Sequence, residues 1–166
     1  VGIDISKLRP KDSFVNNTAR KTSGACSFMD TFSQVTETIG QNGRRGALMI
    51  SIDCTHPELL DFIEIKNDLD RVTKANISVR VTDDFMRAVI EDRDWELYYK
   101  SEHEETRKVI KAKEVFRMLC KNNWNMAEPG ILYWSRIEDY NLLSEDKEFK
   151  YDGVNPCAEE PLPAGG

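Results

Sequence analysis

The stretch Asn155-Pro156-Cys157-Ala158-Glu159-Glu160-Pro161 sets an amide, a thiol and a carboxylate at every second position, fenced by prolines. Pro156 has no backbone N–H and biases Asn155 away from helix, so the segment is extended or turning. In an extended segment, residues two apart face the same way. Asn155, Cys157 and Glu159 would then converge on one side. An amide that donates and accepts, a sulfur and a carboxylate form a compact set for handling a polyol: its hydroxyls are hydrogen-bonded, one proton is removed, and the sulfur does its own chemistry. The same residues also read as a proline-rich turn with an incidental cysteine. Three residue types leave both readings open.

A frame must hold such a segment. The chain has 166 residues, 40% apolar and 31% charged, enough for one domain with a core. Its net charge of −6 argues against a nucleic-acid binder that relies on a basic surface. No apolar run approaches the roughly 20 residues that span a bilayer, and no leader pattern opens the chain, so a cytoplasmic protein without membrane contact is expected. The chain begins at Val1 and stops at Pro161-Leu162-Pro163-Ala164-Gly165-Gly166. Both ends read as cut, and a fragment of something larger is expected.

The four cysteines, Cys26, Cys54, Cys120 and Cys157, are widely spaced, and only two histidines accompany them. A closed zinc site needs about four soft ligands, and Cys54 with His56 supplies two, so no metal is expected. Cys26 and Cys120 read as buried free thiols.

Periodicity supplies the elements. Ala25, Phe28, Met29, Phe32, Val35 and Ile39 fall at helical spacing, with Gly40 as the stop. The segment 40–46, Gly-Gln-Asn-Gly-Arg-Arg-Gly, is a basic turn. It lacks the Gly-Lys-Ser/Thr of a phosphate loop and reads first as a lead into a strand at 47–53. Thr55 is positioned to cap a helix carrying Leu59, Leu60, Phe62 and Ile63. The polar 67–75 is a loop, and 76–81 is a strand. Thr82, Asp83 and Asp84 open a helix with Phe85, Met86, Val89 and Ile90. Residues 95–100 and 107–112 read as a surface hairpin. The segment 112–130 is a helix with Val115, Phe116, Leu119, Cys120 and Trp124 on one side, followed by a strand at 131–134. Strands alternating with helices predict an α/β protein with a largely parallel sheet.

Longer stretches carry a resemblance. Gly2–Lys11, Gln41–Asp53, Asp61–Met86, Asn123–Trp134 and Asn155–Gly166, in this order, make the chain similar to the large subunit of ribonucleotide reductase, and more closely to its adenosylcobalamin-dependent class. What the resemblance implies is concrete. The fold is part of a ten-stranded α/β barrel, about its first half, with residues 1–166 forming a partial catalytic barrel domain. Residues 154–161 match the finger loop inside the barrel. The cysteine matching Cys157 becomes a thiyl radical that takes hydrogen from C3′ of the ribose. The glutamate matching Glu159 is the base on the 3′-hydroxyl, while the 2′-hydroxyl leaves as water. The asparagine matching Asn155 holds the ribose hydroxyls. A thiyl survives only away from solvent, so the tip is expected to be buried.

The resemblance also implies two regulatory loops. The segment 9–22, with Lys11, Arg20 and Lys21, matches the one that meets the phosphates of a dNTP or ATP effector. The segment 67–74, with Asp68, Arg71 and Lys74, matches the one that links effector to substrate base. The helix 24–39 resembles one at a dimer interface, so a homodimer is expected. The implied activity is that of a ribonucleoside-diphosphate reductase using adenosylcobalamin and a thioredoxin-type reductant; these residues leave a triphosphate substrate open. Neither Cys26 nor Cys54 matches the reducing cysteine pair of the family. Half a barrel leaves strand edges and apolar faces uncovered, so the isolated chain is expected to be inactive and to associate. A non-catalytic nucleotide-binding regulatory or interaction module on the same fold is the alternative.

Overall fold

The computed structural model describes residues 1–16, 18–39, 44, 46–146 and 148–164. Four parallel strands form the central sheet in the order β1-β2-β3-β6: β1 (Gly2–Asp4), β2 (Met49–Asp53), β3 (Asn76–Val81) and β6 (Gly130–Tyr133). Asp4 pairs with Ser51, Ser51 with Ser78, and Ser78 with Gly130. Between them run α1 (Ala25–Thr38), α2 (Leu59–Glu64), α3 (Asp83–Ile90) and α4 (Ala112–Met126). The expected α/β class and parallel sheet are therefore present.

Strand alternation gives the sheet two unlike faces. Ile50 and Ile52 of β2, and Ile77, Val79 and Val81 of β3, bury against Leu59, Phe62 and Ile63 of α2, Phe85 and Ala88 of α3, and Val115 and Leu119 of α4. A fully buried side chain of this size contributes about 1.5–3 kcal/mol. The other face is polar in the middle, with Asp4, Ser51 and Arg80. Its apolar part is a smaller cluster of Met49, Leu132, Trp134 and Val154. Arg80 Nη1 lies 3.1 Å from Asp4 Oδ2, which also accepts from Ser51 Oγ at 2.8 Å. The guanidinium carbon stands 3.5 Å from the ring centre of Trp134.

The expected hairpin is present as β4 (Asp94–Lys100) and β5 (Glu105–Lys111), paired antiparallel. It is fastened to the core rather than hung on the surface. Leu97 is buried, Trp95 Nε1 donates to Cys54 O at 2.8 Å, and Trp95 meets Phe85 edge-on at 5.2 Å.

Several expectations are corrected. The Gly40 stop and most of the 40–46 turn lie outside the described residues. Thr55 does not cap α2. Its N–H and hydroxyl both turn back to Asp53 Oδ1, at 2.9 and 2.8 Å, and the helix begins only at Leu59. Trp134 does not end a strand but opens α5 (Trp134–Asp139). Phe28 and Val35 of α1, and Ile39 just past its end, are exposed while Ala25, Cys26 and Met29 are buried. Cys26 is a buried thiol as expected, but Cys120 is exposed. Trp124 is 89% exposed. Five residues beyond Leu119 rotate it about 140° from the buried stripe, at about 100° per residue.

Thr82 caps α3 as the sequence indicates, its hydroxyl accepting from Phe85 N–H at 3.2 Å, with Asp83 and Asp84 in the first turn. Thr82→Ala should destabilise the protein by about 1 kcal/mol. The check is denaturant unfolding together with faster amide exchange at Phe85.

Candidate functional site

After α5 the chain returns to the sheet's polar face through β7 (Gly153–Val154), which pairs antiparallel with β8 (Pro161–Leu162). Residues 155–160 are the turn between them. The approach to the sheet is close: a Cβ on Gly2 would stand 1.8 Å from Val154 O, so only glycine fits there. Asn76 Nδ2 donates to Pro156 O at 2.9 Å, and Arg80 Nη1 to Asp152 O at 3.4 Å. The turn is thus tied to β3 at its root and beside Cys157.

Within the turn, the extended alternative is not adopted. Ala158 N–H donates to Asn155 O, and Asn155 N–H to Glu160 O, both at 3.0 Å. Ala158 takes φ +66°. The chain reversal brings Asn155 Nδ2 to 2.6 Å from Glu159 Oε1, while Asn155 Oδ1 accepts from Glu160 N–H at 3.1 Å. Amide and carboxylate are therefore joined directly, and Cys157 sits between them in the chain. The expected burial of the tip is not found in this chain: Cys157 is exposed.

Cys120 is exposed as Cys157 is, whereas Cys26 and Cys54 are buried. Burial pushes Cys54 up to about 12, and burial reinforced by Glu58 pushes Cys26 higher still. Both stay protonated and unreactive at neutral pH. No cluster of three or more His, Cys, Asp or Glu that could hold a metal occurs among the described residues.

The 9–22 segment is a small β-like excursion. Asp12 N–H donates to Thr22 O, Thr22 N–H to Ser13 O, and Val15 N–H to Arg20 O. Its far side rests on the hairpin turn, where Glu104 Oε2 accepts from Phe14 N–H at 3.1 Å. The 67–74 segment lies along α1. Asp30 receives Arg71 Nη2 at 2.6 Å, Arg71 Nε at 3.1 Å and Val72 N–H at 3.1 Å; Ser33 Oγ receives Lys74 N–H at 2.9 Å. Lys66 closes the loop's base, donating to Ala75 O at 2.6 Å and pairing with Glu128 at 2.8 Å.

These contacts sort the candidate residues. Lys11, Asp68 and Arg71 share one cleft of about 430 Å³ with Cys26, Glu58 and Asp61, so the two segments meet. Lys74 instead pairs with Glu37 at 3.2 Å, and Lys21 with Asp12 at 3.6 Å, both apart from that cleft. Arg20 is exposed with φ +57°. The backbone marks the same places. Of the described non-glycine residues with positive φ, Asp12 and Arg20 lie in the first segment, Val72 in the second and Ala158 in the turn. The other two, Asp92 and Ala127, follow helix ends, where the left-handed conformation is ordinary. A β-branched Val72 at φ +49° carries strain of about 1–3 kcal/mol, a cost that clusters at functional segments.

Sequence reasoning missed Glu58, Lys66 and Asp30, and weighed His56 only as a metal ligand beside Cys54. Their partners lie far along the chain or on the backbone, so no local pattern announces them. Asp30→Ala should release Val72 from its strained turn. Amide exchange at Val72 should rise by about tenfold or more while that of α4 holds, the loss of a charged acceptor being about 1.5–3 kcal/mol before solvent screening of this half-exposed pair.

The chain also matches known proteins. Residues 1–165 match the family model described as "Ribonucleotide reductase, barrel domain". A "Vitamin B12-dependent ribonucleoside-diphosphate reductase" of Thermoplasma acidophilum is 36% identical over 163 residues, covering 97% of this chain and 21% of that protein. A protein of the same name from Mycobacterium tuberculosis is 31% identical, covering 97% of the chain and 23% of its own length. A "Vitamin B12-dependent ribonucleotide reductase" of Streptomyces avermitilis is 31% identical, covering 95% and 19%. The chain thus spans about a fifth of the length of these relatives. With its parallel α/β sheet and a family match over nearly every residue, the chain belongs to the ribonucleotide reductase barrel-domain family.

Proposed function

We propose that this chain is the part of a cytoplasmic, adenosylcobalamin-dependent ribonucleotide reductase that carries the radical cysteine, and that Cys157, Glu159 and Asn155 are its catalytic residues. The observation that carries the reading is the turn itself. A thiol stands at its tip, and a carboxylate and an amide are locked together at 2.6 Å on either side in the chain.

Each group has a task its chemistry suits. Cys157 forms the thiyl that takes the hydrogen atom from C3′ of the ribose. Glu159 accepts the 3′-hydroxyl proton as the 2′-hydroxyl departs as water, protonated by a thiol of a cysteine pair outside this chain. General-base work of this kind requires hydrogen-bond reach and exclusion of bulk water. Asn155 donates to Glu159, which fixes the carboxylate's direction, and hydrogen-bonds the ribose hydroxyls when substrate enters. The electrons that regenerate the site come from a cysteine pair outside this chain, recharged by a thioredoxin-type reductant.

Cys157 and Glu159 are exposed in this chain, so the reading requires parts of the protein outside it to cover the turn. Adenosylcobalamin supplies, when bound, the carbon-centred radical that removes the thiol hydrogen. The protein's share is to hold the sulfur at one depth: Pro156 and Pro161 stiffen the turn, and Asn76 and Arg80 fasten it to β3. The relatives' names specify vitamin B12, and two of them specify diphosphates. A ribonucleoside diphosphate is accordingly the proposed substrate. The 9–22 and 67–74 segments are the proposed effector contacts for dNTP or ATP, supported by the cleft they share. The exposed Phe28 and Val35 of α1, with Ile39 just past its end, support a homodimer contact on that helix.

Two outcomes test the reading in the full-length protein. Cys157→Ser should abolish reduction while nucleotide binding persists, because an alkoxyl radical is far harder to form than a thiyl. Glu159→Gln should lower kcat by about 10²- to 10⁴-fold, the usual loss of a general base. Near-normal turnover of Cys157→Ser removes the radical assignment. Separately, activity should require adenosylcobalamin and no metal-bearing partner subunit. The assay contains the purified protein, reductant, nucleotides and Mg²⁺, with and without that cofactor. Activity only with a second, radical-generating subunit would refute the cofactor assignment.

A further inference from the structure

The 9–22 segment starts after Leu8, four residues past the end of β1, and the chain rejoins a regular element at Ala25, the first residue of α1. One tripeptide, His56-Pro57-Glu58, meets it at both points. His56 Nδ1 accepts Glu58 N–H at 3.1 Å. A ring nitrogen that accepts carries no proton, so the proton is on Nε2, which donates to Leu8 O at 3.0 Å. Burial lowers the His56 pKa and keeps this neutral form.

The Glu58 carboxylate turns the opposite way. Oε2 accepts from Ala25 N–H; burial raises the Glu58 pKa, and the N–H groups of Ala25, Cys26 and Lys11 pull it the other way. A helix is usually capped by the side chain just before it. Here that residue is Gly24, which has none, and the cap is imported from the residue preceding α2. A carboxylate also suits the positive end of a helix. Gly24, at φ +96°, passes so close that a Cβ would stand 2.3 Å from Glu58 Oε1. The fit leaves the returning chain little latitude. Glu58 is only 5% exposed, and the Lys11 it holds by the backbone lines the cleft shared with Asp68 and Arg71.

We propose that His56 and Glu58 are positioning residues that grip both roots of the 9–22 segment, and that this grip sets how tightly the segment holds a nucleotide effector. The second half rests on the reading of that segment as an effector contact. A carboxylate-capped helix start alone would stabilise α1. Adding His56 on the outgoing root makes a two-point grip on the loop, which a purely local cap does not need.

The test uses the full-length protein. In His56→Asn the amide oxygen stands in for Nδ1 and keeps the bond from Glu58 N–H, but the side chain stops short of Leu8. Glu58→Gln keeps shape and one oxygen, but loses the charge and turns an NH₂ toward backbone donors. Hydrogen–deuterium exchange over residues 8–16 should quicken in both variants, and over 25–29 in Glu58→Gln, with 112–126 unchanged. Equilibrium binding of ATP and of each dNTP should weaken by about tenfold for at least one nucleotide, equivalent to about 1.4 kcal/mol. Folded variants with wild-type exchange at 8–16 overturn the grip; if Glu58→Gln does not fold, His56→Asn decides alone. Faster exchange with unchanged affinity for every nucleotide overturns the link to effector binding. Wild-type protein that binds nucleotide without protecting 8–16 refutes the effector reading instead, and the exchange arm still judges the grip.

Discussion

Arg80 is the interaction on which the rest of the arrangement depends. Its guanidinium is mostly buried, paired across β2 with Asp4 of the edge strand β1 and stacked on Trp134. It also donates to the carbonyl of Asp152, just before β7. One side chain therefore joins β1, β3, α5 and the root of the 155–160 turn. Taking a charge out of water is expensive, and an ion pair in such a place is retained only where geometry and extra hydrogen bonds offset the cost. Asp4 meets that condition by also accepting from Ser51 Oγ and Ser6 N–H. Arg80 Nε finds no partner, so the offset is incomplete. A polar seam of this kind specifies position more than it adds stability. It lets the returning chain sit on the sheet in one way.

The two faces of the sheet explain what was legible in the sequence. Helix-facing residues such as Ile50, Ile52, Ile77 and Val79 are apolar and β-branched, and their strands were readable from type alone. The opposite face breaks the pattern with Asp4, Ser51 and Arg80, because it serves the turn rather than a second helix layer. β1 is three residues long and begins with an exposed glycine, so it carried no periodic signal. Helices were found by spacing, but spacing does not say which face is covered. Phe28 and Val35 of α1 fit a helical stripe and are nevertheless exposed, whereas Ser33, a polar residue, is buried where it receives Lys74 N–H.

The candidate site was legible as chemistry and not as geometry. The types and order of Asn155, Cys157 and Glu159 already suggested polyol handling. Their spacing suggested an extended segment, whereas local hydrogen bonds and a left-handed Ala158 fold it into a turn. The turn joins two of the three groups more tightly than alternation would have. The supporting residues were invisible for a different reason. Glu58 acts on a helix start 33 positions earlier, and Asp30 on Val72 42 positions later. Such pairings exist only once the sheet has brought the segments together.

Gly2 carries one more consequence. Its missing side chain lets the carbonyl of Val154 settle against the edge strand, three residues before the sulfur. Any atom added there would wedge the two backbones apart and tilt the turn outward from its root. The clearance between a glycine and a carbonyl is therefore a spacer with zero thickness, and it sets how far Cys157 stands above the sheet. The height of the cysteine is thus entrusted to a residue that has no chemistry of its own.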